Sequence, residues 1–396
     1  MMSVTLGLEL CLRAPPAIIA GKRLGLLVNQ ASVDRDFRYA HALLHDRFPQ
    51  QVVALFGPQH GFFSEQQDNM IETGHVRDPQ LGIPIYSLYA DKRKPTAAML
   101  DGVDLLVVDL QDVGTRVYTY IWTLTLCMEA CAEQGVPVLV LDRPNPLGGA
   151  VVEGPVLKET FASFVGRASL PMRHALTIGE LARYLNEAMD IGADVHVVTM
   201  EGWQREMLWT HTGRPWVPTS PNLPRFSGVQ VYPGQVLIEG TQLSEGRGTT
   251  TPFEMVGAPF IVPEQLVKRL DAFGHPGLSL RPMRFEPTFQ KCVQRSCAGL
   301  FLHPTDPDVM RAYRFSLALI AAVCELWPDQ FNWLSPPYEY EDKLIPIDML
   351  SGDDQARHAI EAGLNRETLN DISAVDVHAW DQRTASYRLY PGDLRD

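Results

Sequence analysis

Residues 104–142 read DLLVVDLQDVGTRVYTYIWTLTLCMEACAEQGVPVLVLD, and the order of patterns inside this stretch decides the fold. It opens on LLVVD, a block of Leu and Val that is too short for a helix and apolar almost throughout, the mark of a strand covered on both faces. Val117, Tyr120, Ile121, Leu124, Cys127, Met128 and Cys131 then recur at three- and four-residue spacing, the stripe of an amphipathic helix. Gly135 ends the stripe, and VPVLVLD starts a second strand at once. Strand, helix, strand is a βαβ unit, which implies parallel strands and a right-handed crossover.

The same rhythm extends to both sides. RLGLLVN and VVALFG precede the stretch as strands, and LTIGELARYLNEA followed by DVHVVTM adds one more helix–strand unit. The expectation is an α/β fold with a Rossmann-like parallel sheet over residues 1–230. After WVPTSPNLP, whose prolines disfavour regular structure, the character changes. GQVLIEG, LRPMRFEPTF and AGLFLHP are expected as strands, and VPEQLVKRLDAF and PDVMRAYRFSLALIAAVCELW as helices, giving a smaller α+β domain over 231–396 that closes the cleft.

At 396 residues and 45% apolar content, the chain can bury two ordinary cores. A net charge of -13 without clustered Lys and Arg argues against nucleic acid, so the expected partner is a small neutral or polar molecule. MMSVTLGLELCLRAPP lacks a basic leader with an apolar core, and no window approaches the roughly 20 apolar residues of a membrane span. A cytoplasmic location without membrane insertion is expected. The six cysteines form no CxxC pair and sit mostly in apolar patterns, as reduced buried thiols do.

In open parallel sheets, ligands bind beyond the carboxyl ends of the strands, where loops leave and helix N-termini point. Behind the first strand stands Asn29, and behind the second stand Gln59 and His60. Asp109, Asp112, Arg116 and the neighbouring Tyr118 follow LLVV, while Asp142, Arg143 and Asn145 follow VLVL. Each taken singly is a common cap or turn residue; their recurrence at four strand ends makes one shared crevice the expectation. Asp109 has two readings, an acid or ligand in a cleft or a scaffold carboxylate paired with Arg116 or Arg143, and the second is preferred.

In the second half, IEGTQLSEGRGTTTPFE gathers Glu239, Glu245, Arg247 and Glu254 around two glycines, either as a charged surface loop or as an acidic, hydroxyl-rich closure over a sugar. PPYEYE offers Tyr338 and Glu339 for stacking and hydrogen bonding, but alternating aromatic and acidic residues also suit an edge strand, the preferred reading. HExxH, GxSxG and CxxC are absent, which leaves carboxylate chemistry.

Several long strings in order, FGPQHGFF, GIPIYSLYADKRKP, DLQDVGTRVYTYIWTL, VLDRPNPLGG with VEGPVL, PWVPTSPNLP, YPGQVLIEGTQLSEGRGTTTPFEMVGAP and PPYEYE, resemble the DUF1343 proteins, glycoside hydrolases of the exo-β-N-acetylmuramidase NamZ type. The resemblance implies a pocket between a Rossmann-like domain and a smaller carboxy-terminal one. It implies release of N-acetylmuramic acid from the non-reducing end of peptidoglycan fragments during wall recycling, without metal or organic cofactor. In that family the string is usually Pro-Glu-His-Gly, whereas this chain carries Gln59. An amide has no proton to give near neutral pH. Three accounts stand open: another acid, such as Glu65 or Asp109, transfers the proton; the substrate acetamide serves as nucleophile, so that one acid suffices; or the protein binds or senses muropeptides without cleaving them. On the working-hydrolase expectation, the acid lies among Asp109, Glu65, Glu153 and Glu245. Arg143 or Arg247 pairs with the lactyl carboxylate, and Asn29, Asn145 and His60 hold hydroxyls or the acetamide.

Overall fold

The computed structural model describes residues 4–59, 62, 76–89 and 93–396. Its main sheet, among the described residues, has seven strands in the order β3-β4-β2-β1-β5-β6-β9. These are β1 (Leu24–Val28), β2 (Val52–Gly57), β3 (Val76–Arg77), β4 (Pro84–Ser87), β5 (Leu105–Asp109), β6 (Val138–Leu141) and β9 (Val195–Val198). All neighbours run parallel except the β3–β4 pair at one edge. The α/β class and the five strands expected in the first half are therefore present; β4, in the string GIPIYS, adds a strand whose brief mixed pattern gave no strand signal.

The register explains why the central strands β1, β2, β5 and β6 are apolar almost throughout. Leu26, Leu55, Val107 and Leu139 align across the sheet and feed one cluster, while Leu27, Phe56, Val108 and Val140 align into another. Helices α1 (Gly7–Arg13) and α2 (Ala40–Arg47) cover the first face through Leu8, Cys11 and Leu44. The short α3 (Ala97–Leu100), α4 (Tyr120–Gln134) and α5 (Ile178–Ala188) cover the second through Met99, Ile121, Leu124, Leu181 and Leu185. With both faces sealed, any strand position must be apolar. Gly135 closes α4 in the left-handed conformation at φ 65°, where a side chain would be strained.

A small antiparallel pair, β7 (Glu153–Val156) and β8 (Pro171–Arg173), leads towards the second half. There β10 (Met255–Ala258), β11 (Leu278–Phe285) and β12 (Cys297–Pro304) form an antiparallel sheet in the order β10-β12-β11. Helices α6 (Phe226–Gln235), α7 (Pro263–Phe273) and α8 (Ala312–Leu326) pack with it in a core that also takes in Val113, Val117, Tyr118 and Tyr120 from the first half. Shorter helices α9 (Pro346–Ser351), α10 (Gln355–Glu361), α11 (Arg366–Ser373) and α12 (Val377–Thr384) complete the chain.

Two expectations fail here. GQVLIEG is not a strand: it ends α6 and continues as a 3₁₀ turn over Val236–Gly240. A short apolar run carries no period to separate strand from helix, and the packing decides. Gly234 brings α6 so close to α8 that a Cβ there would lie 1.8 Å from the Ala312 carbonyl oxygen. PPYEYE is not an edge strand either. Tyr338 and Glu341 exchange backbone hydrogen bonds at 2.9 Å and close a two-residue turn with Glu339 and Tyr340 at its tip. Both tip residues have positive φ, 44° and 67°, a costly conformation for residues with a Cβ. No helix among the described residues is long and apolar enough to cross a membrane.

Candidate active site

Between the two halves lies a narrow cleft with a cavity volume of about 40 Å³. From the first half, Gln59 follows β2, and Tyr118, Thr119 and Tyr120 lead into the N-terminus of α4. From the second come Tyr232, Glu239, Arg247, Phe253, Tyr338 and Glu339. The strand-end rule thus locates the cleft, while its charged groups come from the second half.

Glu239 sits on the 3₁₀ turn that follows α6. It accepts from Arg247 Nη2 at 2.8 Å and from the Tyr338 hydroxyl at 2.5 Å. Burial alone pushes its carboxyl up; the Arg247 guanidinium and the Tyr338 hydroxyl outweigh that effect, so Glu239 stands below the ordinary carboxylate range. Behind it, Glu245 is bracketed by Arg247 Nε at 3.3 Å and Lys291 Nζ at 2.8 Å. Arg247 Nη1 has no hydrogen-bond partner among the described residues. A buried guanidinium N–H in a cleft is an opening for an anionic ligand group.

Glu339 is in the opposite condition. It is buried and accepts from the Tyr89 hydroxyl at 2.8 Å. Burial pushes its carboxyl up, the Tyr89 hydroxyl pulls it back and the charge of Glu239 raises it again, to about 6. One cleft thus holds an anion and a carboxylic acid that keeps its proton into mildly acidic solution, the division of labour that acid-assisted bond cleavage requires. Tyr118, Tyr232, Phe253 and Tyr338 supply aromatic walls.

Of the residues expected from sequence, Gln59, Tyr118, Glu239 and Arg247 line this cleft, and Glu245 stands directly behind it. His60 and Glu65 lie outside the described residues. The others are engaged in holding the fold. Asp109 receives two hydrogen bonds from Arg143, at 2.6 and 2.7 Å, and both side chains are buried. Their mutual neutralisation removes Asp109 from the candidate acids and Arg143 from the candidate lactyl partners. Arg143 does border a hollow of about 360 Å³ beside Arg214, but Arg214 is likewise committed, to Glu9.

Asp142 accepts from Thr177, from Gly179 N and from the Tyr390 hydroxyl, and so ties α5 to the carboxy-terminal segment. Asn145 braces its own turn through Leu147 N and the Leu176 carbonyl. Asn29 bonds Ser32 and the Gln111 carbonyl, and Asp112 accepts from Gly114 N. Arg116 donates to the carbonyls of Pro155, Leu170 and Leu350 and thereby supports the cleft wall from behind. Glu153 accepts from Tyr313 N in the first turn of α8, a helix-capping role. Glu254 is bound by Arg225 at 2.8 and 2.6 Å and by Ser227 at 2.6 Å. Polar residues at strand ends are in demand for such bracing, because every buried backbone and side-chain group needs a partner.

The sequence offered Glu339 both as a stacking or hydrogen-bonding contact to a sugar and as part of an edge strand, and the edge strand was the preferred reading. The available signal was the pair of prolines before the acidic–aromatic alternation, since consecutive prolines break a ladder and a strand beginning there was unsupported.

Comparison with known proteins agrees with this architecture. The chain matches the amino-terminal family model of the exo-β-N-acetylmuramidase NamZ over residues 24–227 and the carboxy-terminal one over 230–390. It is 41% identical over 372 residues to the peptidoglycan β-N-acetylmuramidase NamZ of Bacillus subtilis strain 168, covering 94% of this chain and 88% of that one. Crystal structures of two DUF1343 proteins from Bacteroides fragilis NCTC 9343 superpose with TM-scores of 0.89 and 0.76, at 32% and 27% identity; each comparison covers 99% of this chain and 100% of the other. Since both family models match in sequence order and together span almost the whole chain, it belongs to the exo-β-N-acetylmuramidase NamZ family.

Proposed function

We infer that this chain is an exo-acting glycoside hydrolase that releases N-acetylmuramic acid from the non-reducing end of peptidoglycan fragments. One observation carries the chemical side of the reading: two buried carboxyl groups in a single aromatic cleft have been driven in opposite directions, Glu339 up and Glu239 down. Glycoside hydrolysis needs that asymmetry, because the leaving oxygen must be protonated while positive charge at the sugar carbon is stabilised. The named activity of the Bacillus subtilis relative supports the choice of sugar. Arg247, with Nη1 unengaged among the described residues, is the partner for the lactyl carboxylate, the group that sets N-acetylmuramic acid apart from N-acetylglucosamine. Its guanidinium matches a carboxylate bidentately.

The ligand is a small sugar or muropeptide. We place the reaction in the cytoplasm, on fragments recovered from wall turnover; the buried free thiols of Cys11, Cys127 and Cys131 suit a reducing compartment. Purified protein incubated with an N-acetylmuramyl–N-acetylglucosamine disaccharide and with a chromogenic β-N-acetylmuramide is expected to release free N-acetylmuramic acid from both, detected by mass spectrometry. Saturable binding of N-acetylmuramic acid with no product from either substrate would replace this reading with a sensing role.

A further inference from the structure

Gln59 stands where the family string usually carries glutamate, and its surroundings give the amide a defined task. Its Oε1 accepts from the Thr119 hydroxyl at 2.6 Å. That bond turns the NH₂ end of the amide the other way; Gln59 and Glu339 line the same cleft, and Gln59 pulls the Glu339 carboxyl down, opposing the effect of its burial. Thr119 is the N-cap residue of α4, so the amide is referenced to that helix. Tyr89 holds Glu339 Oε2 independently, and its ring rests edge-on against Tyr340 with centroids 5.8 Å apart.

The turn that presents Glu339 is itself restrained. Arg93 lies over the Tyr340 ring at 3.5 Å, and the two tip residues are held in left-handed backbone. Strain of this kind persists only where surrounding structure over-determines it, and such positions concentrate at functional sites. The tip also carries a carboxyl held by the neutral Tyr89 hydroxyl, with no ion pair among the described residues. The amide at position 59 favours the charged form of that carboxyl and so eases release of its proton, while a glutamate there would place a second anion beside it and hold the proton more tightly.

We propose that Glu339 is the general acid of this enzyme and that Gln59 is a positioning residue, the amide that aims the acid and adjusts its readiness to give up the proton. The assignment rests on the hydrolase reading above. The Glu339 proton passes to the glycosidic oxygen while the bond from C1 to that oxygen breaks and leaves its electron pair on the oxygen. Water then bonds to C1, and the proton it loses restores Glu339 before the next turnover.

The test compares substrates that differ in their need for an acid. An N-acetylglucosamine leaving group requires protonation, whereas 2,4-dinitrophenolate departs without it. Glu339→Gln, near-isosteric and checked for folding by circular dichroism, is expected to lower kcat/KM on the disaccharide by ~10²–10⁴-fold, the usual worth of a general acid. Loss on 2,4-dinitrophenyl β-N-acetylmuramide should stay below about tenfold on the same argument.

A general acid must hold its proton, so wild-type kcat/KM on the disaccharide should fall as pH rises through about 6, and Glu339→Gln should abolish that limb. Removing the Gln59 donor in Gln59→Ala, or adding an anion in Gln59→Glu, should each move the limb to higher pH, and neither should raise the rate on the disaccharide at its optimum. Equal losses on the two substrates in Glu339→Gln, an alkaline limb that survives it, or a disaccharide rate raised by Gln59→Glu would overturn the assignment. If the wild-type protein cleaved neither substrate, the hydrolase reading and this assignment would fail together; the leaving-group pattern alone would sink only the assignment.

Discussion

Asp109 separates a scaffold reading of the strand ends from a catalytic one, and its replacement by alanine tests which is right. In the folded chain, both Asp109 oxygens are taken by Arg143, through Nε at 2.6 Å and Nη2 at 2.7 Å, and the two side chains are 0% and 2% exposed. Asp109→Ala leaves the Arg143 guanidinium buried with the Val33 carbonyl as its remaining hydrogen-bond partner among the described residues. Breaking a buried pair from one side typically costs about 3–5 kcal/mol, because the desolvated charge is no longer compensated. Domain stabilities run from roughly 5 to 15 kcal/mol, so this loss is a large share of the total. For a unit of 150–250 residues, it corresponds to a fall of roughly 6–20 °C in Tm. Removing both charges together, as Asp109→Leu with Arg143→Met, should recover most of the loss, since a buried pair is worth little more than well-packed apolar replacements. The assay is thermal unfolding by circular dichroism, alongside turnover per folded molecule at a temperature where the variant remains native. If Asp109→Ala melted with the wild type but had lost turnover, Asp109 would belong to the chemistry and the scaffold reading would be refuted.

Arg247→Met should raise KM for β-N-acetylmuramides by ~10–100-fold, the worth of one charge-assisted hydrogen-bonded pair, and should affect β-N-acetylglucosaminides, which lack the lactyl carboxylate, far less. Because Arg247 is the chief cation opposing the effect of burial on Glu239, the same change should move the acidic limb of the pH profile upwards; a limb that stays in place would remove Glu239 from that ionisation. Gly234→Ala should destabilise the protein by at least ~3 kcal/mol or prevent its accumulation, since the new Cβ would sit 1.8 Å from the Ala312 carbonyl oxygen and overpacking on that scale forces the backbone apart. An unaltered unfolding midpoint would mean that α6 and α8 do not pack as described. Cys292 should be the first cysteine alkylated by iodoacetamide near neutral pH. The neighbouring Cys297 thiol, with Arg295 and Lys291 nearby, lowers the Cys292 thiol to about 7 despite burial, while burial raises Cys127 and Cys131; peptide mapping showing Cys127 or Cys131 modified first would contradict this order.

The sequence by itself determined the α/β class, five strands of the main sheet and the helix α4, because a sheet sealed on both faces forces apolar residues at every strand position and leaves a pattern that needs no coordinates. It also located the cleft to the carboxyl ends of those strands, and the family resemblance supplied the sugar. Which strand-end residues face the cleft was beyond it. Asp109, Asp142 and Asn145 look alike in sequence to Gln59, and only the packing shows that three of them bond the fold while the fourth bonds another site residue. The tertiary structure alone brought the proposed acid into the cleft: Glu339 and Gln59, 280 residues apart, line it together, Tyr89 reaches Glu339 across 250 residues, and the proton affinity of Glu339 comes from the burial and neighbours created there. A carboxyl's charge state depends on the groups around it in space, and no local spacing along the chain encodes those.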